Sequence, residues 1–247
     1  MRRPPQPIPW LLDGDLFPPV EQAWSSHAPA PGLLAAGGSL KLETLRHAYA
    51  HGIFPWFSAG QPVLWWSPDP RMVLRTDQFR LHRSLKKTLL RFQATPGCEV
   101  CMDQDFSEVI RQCAGKPRAG QNGTWIVQEM IEAYEALHRD GLAHSIETRV
   151  DGELIGGLYC VSLGRMVFGE SMFAHRTDAS KIALAALVAF CRAQGMDLID
   201  CQQNTAHLAS LGAAEVPRAH FVAEVAERVA QPAPLWRFSH LYWSELS

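Results

Sequence analysis

The chain has 247 residues, 47% of them hydrophobic and 19% charged, which suits a globular protein with core enough for one large domain or two modest ones. Its formal net charge of −2 excludes a global field that draws it to nucleic acid, so such a partner has to be met by a local patch. There is no run of about 18 apolar residues, which argues against a membrane span.

In chain order, the opening MRRPPQPIPW has two arginines but no apolar stretch behind them and does not read as a secretory signal. The first thirty residues are rich in proline and are expected to form an irregular arm. GGSLKLETLRHAYAHGIFPWF then predicts a helix, with Ser39 as N-cap, a face of Leu42, Leu45 and Tyr49, and a stop at Gly52. PVLWWSPDPRMVL reads as two short strands around a Pro-Asp-Pro corner. The expected boundary near Pro70 makes residues 1–70 a small N-terminal domain and 71–247 a larger one. RLHRSLKKTLLRF has a helical stripe of Leu81, Leu85, Leu89 and Phe92, and residues 127–140 form an amphipathic helix ended by Gly141. Of six scattered cysteines only Cys98 and Cys101 have metal-like spacing, and no second pair completes a zinc site. They are read as reduced thiols of a cytoplasmic protein.

AHSIETRV, the Asp151-Gly152 turn and ELIGGLYCV predict a β-hairpin, since Asp-Gly favours the primed turns that join twisted strands. MVFGESMF is a third strand, ASKIALAALVAFCRAQ a buried helix ended by Gly195, and MDLIDCQ a further strand. Strand, strand, strand, helix, strand suggests an α+β layer with helices on a sheet.

Polar residues interrupt these strands. Glu170 follows Gly169, a position where backbone or ligand can come close, and Asp200 and Gln202 end the last strand two positions apart, which puts them on one face. With Leu158, Val167, Met172 and Ile199 they could line one pocket near the carboxyl ends of the strands. The plainer reading pairs Glu170 with Arg176 or Lys181 and makes Asp200 a turn cap. The chain has no P-loop, dinucleotide glycine fingerprint, Gly-x-Ser-x-Gly elbow or His-Glu-x-x-His site, and His144 and His207 stand isolated and read as structural. Such a pocket suits a substrate that arrives already activated, for which positioning and proton handling suffice. Between residues 71 and 91, Arg71, Arg75, Arg80, Arg83, Lys86, Lys87 and Arg91 face one acidic residue, Asp77. Arg80, Arg83, Lys87 and Arg91 share one side at helical spacing and can track phosphates. Trp56 and Trp125 sit in Gly/Pro-bounded stretches that leave an indole free to stack on a base, and of Trp65 and Trp66, on opposite faces of a strand, one is expected in the core.

GIFPWFS, WWSPDPRMVL, GTWI, AYEALHRDGLAHSIE, GGLYCVSLG, FGESMF, ASKIAL and LIDCQ…HLASLGA, in this order over roughly residues 32 to 220, resemble the leucyl/phenylalanyl-tRNA–protein transferases. The resemblance implies a small N-terminal α/β domain packed on a larger GNAT-like domain with a mixed sheet. It also implies transfer of leucine or phenylalanine from leucyl-tRNA or phenylalanyl-tRNA to the N-terminal amine of proteins beginning with Arg or Lys, which marks them for degradation. By the same resemblance Asp200 orients and polarises Gln202, and Gln202 accepts a hydrogen bond from the attacking amine. Glu170 holds the reacting groups or the acceptor's cationic side chain. Leu158, Val167, Met172, Leu184, Leu187 and Ile199 receive the amino-acid side chain, Trp56 and Trp125 contact the terminal adenosine, and Arg83, Lys86, Lys87 and Arg91 follow the acceptor-stem phosphates. No metal or cofactor is implied, and a cytoplasmic monomer is expected. Ala174 stands where many relatives have serine, and Val167 and Leu187 where phenylalanine is usual, so the choice between Leu and Phe is left open. An acyl-CoA acyltransferase would need a glycine-rich loop where TDASK opens the helix, and a tRNA-binding module without catalysis would leave Asp200 and Gln202 without work.

Overall fold

The computed structural model describes residues 7–115 and 126–246. Strands β1 (Trp10–Leu11), β2 (Leu33–Gly37), β3 (Phe54–Pro55) and β4 (Leu64–Trp66) form a four-stranded sheet in the order β1-β2-β4-β3. Helix α1 (Leu42–Ala50) links β2 to β3 and buries Leu45, Ala48 and Tyr49. Ser39 is not its cap. Lys41 holds that position without a side-chain bond to the helix, and the Ser39 hydroxyl donates to Asp13 at 2.6 Å. Gly52 lies just past the helix at φ +72°, the left-handed conformation that ends helices with least strain. Trp65 and Trp66 are both buried, because each face of this small sheet is covered.

The second sheet contains β5 (Arg71–Arg75), β6 (Cys98–Met102), β7 (Ala143–Val150), β8 (Glu153–Leu163), β9 (Met166–Ala174), β10 (Leu198–Gln202) and β11 (Ala214–Val216). Their order is β11-β5-β10-β9-β8-β7-β6. Every neighbouring pair is antiparallel except β9 with β10, so this is a mixed sheet in an α+β protein. The β7–β8 hairpin turns at Asp151 (φ +51°) and Gly152 (φ +78°), as their side chains predict.

Helices α2 (Arg83–Ala94) and α5 (Ala179–Ala193) cover one face together with the C-terminal residues Trp236, Phe238 and Trp243. Helices α3 (Phe106–Ala114), α4 (Gln128–Arg139), α7 (Arg218–Val229) and α1 cover the other. On that second face one continuous core joins Leu33 and Trp65 of the small sheet to Phe168 and Leu198 of the large one. Strands β1, β2, β3, β6 and β11 and helices α3 and α7 have no counterpart in the sequence reading, and β1 falls within the arm expected to be irregular.

Helix α5 is buried at every position from Ile182 to Cys191, enclosed between the sheet and the C-terminal segment. Its first turn presses on β8 at Gly156, where an added Cβ would lie 2.5 Å from the Ala179 Cβ. Gly156→Ala is therefore expected to destabilise the protein by about 1–3 kcal/mol through overpacking. Urea unfolding checks this, and an unchanged midpoint would show that α5 can shift to make room.

Candidate active site

The strands β9 and β10 pair only at Ile199 with Val167 and Asp200 with Phe168. Beyond that point each strand carries an extra residue. On β9, Tyr159 opposes Ser171 and Cys160 opposes Gly169, so Glu170 is bulged out of the ladder. On β10, Asp200 opposes Val73 and Gln202 opposes Met72, so Cys201 is the extra residue, and Gln202 takes φ +61°. Bulges bend a strand and re-aim its side chains; two of them on adjacent strands part the strands at their carboxyl ends. Gly169 keeps the last close approach, because a Cβ there would stand 3.3 Å from the Asp200 carbonyl oxygen. The cleft that opens next to it is a cavity of about 490 Å³.

Leu158, Met172, Leu184, Leu187 and Ile199 form its apolar wall, together with Leu208. Val167, expected among them, does not line it. It sits near the start of β9, three residues before Glu170, and is sealed in the core beneath α5. Glu170, Asp200 and Gln202 lie on the opposite, polar wall with Phe54, Trp56 and Tyr159. His207, read as isolated, also borders the cavity from α6 (Ala206–Ser210), and burial holds its pKa below the usual range, with Lys181 adding to the effect.

Asp200 does not touch the Gln202 amide. Its carboxylate receives Arg71 in two-pronged fashion, Nε to Oδ1 at 2.8 Å and Nη2 to Oδ2 at 2.6 Å. Asp200 Oδ1 also accepts the Gln202 backbone N–H at 2.8 Å, so part of the turn-cap reading holds. Both charged side chains are essentially out of water, 1% and 0% exposed. The Arg71 guanidinium lies between the Phe54 and Phe221 rings, 4.7 and 4.6 Å from their centroids, and its Nη1 donates to the Gly52 carbonyl at 3.1 Å. Paired and bidentate, the Asp200 carboxylate is an anchor for the Gln202 backbone.

Glu170 pairs with neither Arg176 nor Lys181, which bind Glu153 and Asp178 at 2.6 and 2.8 Å. Its Oε1 accepts from Tyr49 Oη at 2.7 Å and from Gln202 Nε2 at 2.9 Å, and its Oε2 accepts from Tyr134 Oη at 3.1 Å. The two phenol oxygens are 2.5 Å apart. Loss of hydration pushes the Glu170 carboxyl up to about 7, against the downward pull of the two tyrosine bonds; the nearby Asp200 charge adds to the rise and Arg71 opposes it. Burial and the Glu170 charge hold both phenols well above their ordinary range, so they stay neutral donors.

Arg83, Lys86, Lys87 and Arg91 are exposed along α2, and among the described residues none of them has an ion-pair partner. Two of the cations counted with them belong elsewhere: Arg71 is buried on Asp200, and Arg75 pairs with Glu224 at 3.0 Å. Trp56 is half-buried at the cavity, with its ring 5.4 Å from that of Trp66. Trp125 lies outside the described residues. Sequence reasoning missed Arg71, Tyr49 and Tyr134 as site residues. Arg71 was counted as surface charge, and the tyrosines sit at core positions of α1 and α4, where a hydroxyl in place of an apolar tip was the available signal.

A family model described as leucyl/phenylalanyl-tRNA protein transferase matches residues 73–226, and one for the N-terminal domain of that family matches residues 38–69. The chain is 63% identical to the leucyl/phenylalanyl-tRNA–protein transferase of Polaromonas sp. over 246 residues, covering 100% of this chain and 96% of the relative. It is 61% identical to that of Leptothrix cholodnii, covering 97% and 95%. Solved structures resemble it loosely: FemX at a TM-score of 0.44 and 11% identity over 71% of this chain and 66% of that one, and a GCN5-related N-acetyltransferase from Kribbella flavida at 0.32 and 8% over 70% and 58%. These looser likenesses add nothing to the strand order above.

Breaking a buried ion pair from one side leaves an uncompensated charge. Arg71→Met or Asp200→Leu alone is expected to cost about 3–5 kcal/mol, whereas the double substitution, which leaves no charge behind, is expected to lose far less than the two together. Urea unfolding of the three variants measures this coupling, and strictly additive losses would refute it.

Proposed function

Because the chain belongs to the leucyl/phenylalanyl-tRNA–protein transferase family, we propose that it moves leucine or phenylalanine from aminoacyl-tRNA to the N-terminal amine of proteins beginning with Arg or Lys, marking them for degradation. It is an aminoacyltransferase. The observation that carries the reading is the two-sided cavity, with an apolar wall facing a carboxyl–amide pair across the cleft between β9 and β10. The ester of an aminoacyl-tRNA is activated already, so attack by an amine needs placement and removal of protons.

In this reading the leucine or phenylalanine side chain lies against Leu158, Met172, Leu184, Leu187 and Ile199, with its ester carbonyl towards Gln202. The Gln202 Nε2 is spent on Glu170, which leaves its Oε1 to accept an N–H of the incoming amine. Asp200, held by Arg71, keeps the Gln202 backbone in its left-handed turn and so aims that oxygen. Glu170 holds the reacting amine. A side chain unbranched at Cβ fits the cleft between the parted strands, while Val or Ile crowds its entrance; methionine fits the same wall, since one methylene changes selection by only about 1–3 kcal/mol. Trp56 and Trp125 contact the terminal adenosine, and Arg83, Lys86, Lys87 and Arg91 follow the acceptor-stem phosphates, reading tRNA by charge and shape. Residues 1–70 and 71–247 act as two domains, a smaller one packed on a catalytic one, in a cytoplasmic monomer.

Incubation with radiolabelled leucyl-tRNA and a peptide beginning with arginine is expected to put label on the peptide. No transfer, or acylation only from an acyl-CoA, would sink the reading. Replacing Lys86 and Lys87 together by Ala is expected to weaken tRNA binding and reduce the slope of log affinity against log salt by about 1–2, one contact per lysine. An unchanged slope refutes the place given to α2.

A further inference from the structure

The transferase reading leaves one proton without a destination: the acceptor amine arrives as an ammonium and must lose a proton before it attacks. We propose that Glu170 takes that proton, and that Tyr49 and Tyr134 form with it a closed ring of hydrogen bonds which the proton completes. This rests on the transferase reading and assigns to Glu170 the chemical role that reading lacks.

The case begins with a count of hydrogens. Tyr49, Tyr134 and Glu170 make three oxygen–oxygen contacts in a triangle: 2.7 Å from Tyr49 to Oε1, 3.1 Å from Tyr134 to Oε2, and 2.5 Å between the phenols. Each hydroxyl has one hydrogen to donate and an ionised carboxylate has none. Two hydrogens cannot fill three contacts, so with Glu170 ionised one pair of oxygens faces each other bare. A proton on Glu170 supplies the third hydrogen. Oε2–H then donates to Tyr134, Tyr134 to Tyr49, and Tyr49 back to Oε1. The arrangement of these atoms is that of a carboxyl ready to be protonated, with its members supplied by α1, α4 and β9.

The Glu170 neighbours Asp200 and Gln202 are otherwise engaged, and His207, which also borders the cavity, is not bonded to Glu170, Tyr49 or Tyr134. Asp200 has both oxygens committed to Arg71 and one also to the Gln202 backbone. Gln202 is an amide. The groups facing Glu170 are Tyr49 from α1, Tyr134 from α4, Gln202 and Asp200 from β10, Arg71 from β5 and the buried Cys160 thiol of β8, which burial holds protonated, with Tyr159 of β8 against the Tyr134 ring. A free α-ammonium gives up its proton near pH 7.7–8.0, roughly one unit above the point near 7 to which burial lifts Glu170, so the transfer is close to balanced.

The step balances as follows. The ammonium gives one proton to the Glu170 carboxylate, and the freed nitrogen pair attacks the ester carbonyl. A C–N bond forms and the ester C–O bond breaks. The second proton on nitrogen leaves with the ribose oxygen, which departs as a hydroxyl, and Glu170 returns its proton to water after the peptide leaves. Glu170 is the catalytic base, and Tyr49 and Tyr134 are positioning residues.

The test is the pH profile of single-turnover transfer from leucyl-tRNA to an Arg-starting peptide. The wild-type rate is expected to rise through an inflexion near pH 7. Glu170→Gln is expected to lose about a hundredfold or more and to lose that inflexion. Tyr49→Phe and Tyr134→Phe each open the ring and take a hydrogen-bond partner from the carboxyl, so the inflexion is expected to move from its wild-type position. The amine's own ionisation is common to all variants and cannot produce that movement. An infrared titration of the protein without substrate gives a second readout, in which a protonated carboxyl band is expected with a midpoint near 7 in the wild type and absent from Glu170→Gln. If the wild type transfers leucine but Glu170→Gln keeps its rate and inflexion, or the band titrates in the ordinary glutamate range, the inference fails and the transferase reading stands. If the wild type transfers nothing, both fail.

Discussion

The buried pair of Arg71 and Asp200 is the constraint on which the site depends. An arginine taken out of water is tolerated only when every partner stays in place. Here the partners come from separate parts of the chain: the Gly52 carbonyl and Phe54 ring from the N-terminal region, Asp200 from β10, and Phe221 from α7. Satisfying one guanidinium therefore fixes the small sheet, the α7 helix and the last central strand relative to β5. The same carboxylate accepts the Gln202 N–H, and in this way the cost of burying a charge is tied to the placement of the amide at the cavity.

The cavity follows from where the ladder fails. A parallel pair that continued past Asp200 and Phe168 would have closed the space between β9 and β10 with hydrogen bonds. The bulges at Glu170 and Cys201 stop it, and the gap that results has access to both faces of the sheet. One face offers the apolar residues that α5 and β8 hold in the core beside α2; the other offers the polar groups beneath α1 and α4. A substrate in this gap meets hydrocarbon on one side and hydrogen-bonding groups on the other, which is the separation an amino-acid side chain and its reacting ester require.

What was legible in the sequence was local. The Asp151-Gly152 turn and the buried α5 follow from rules that act over a few residues, and both are present; of the stripe Leu81, Leu85, Leu89 and Phe92 the last three are buried on α2, while Leu81 lies before the helix begins at Arg83. The α+β class followed from their order. Asp200, Gln202 and Glu170 stood out because they were polar where strands should be apolar, and the structure does bring them to one wall. Their partners were hidden because those pairings are distant in the chain: Arg71 and Asp200 are 129 positions apart, and Tyr49 and Glu170 are 121 apart. The expectation that Asp200 and Gln202 alternate onto a common face assumed a regular strand, which the Cys201 bulge interrupts. Val167 was misplaced for a related reason, since strand period tells which face a residue takes and not how far along the strand a cavity opens.

The two acidic residues of the polar wall owe their different roles to how the cations are shared out. Arg71 reaches both neighbourhoods electrostatically, yet all its hydrogen bonds to acid go to Asp200. Glu170 is left with uncharged donors, two phenols and an amide. A carboxylate bound to a guanidinium gives its energy to structure; a carboxyl that meets only neutral donors can change protonation near neutral pH. Had the guanidinium bonded Glu170 instead, the wall would have contained a permanent charge and no group able to exchange a proton with an amine. Placing the arginine on β5, two positions before Val73, the residue that faces Asp200, rather than beside β9, is thus what leaves Glu170 free to act.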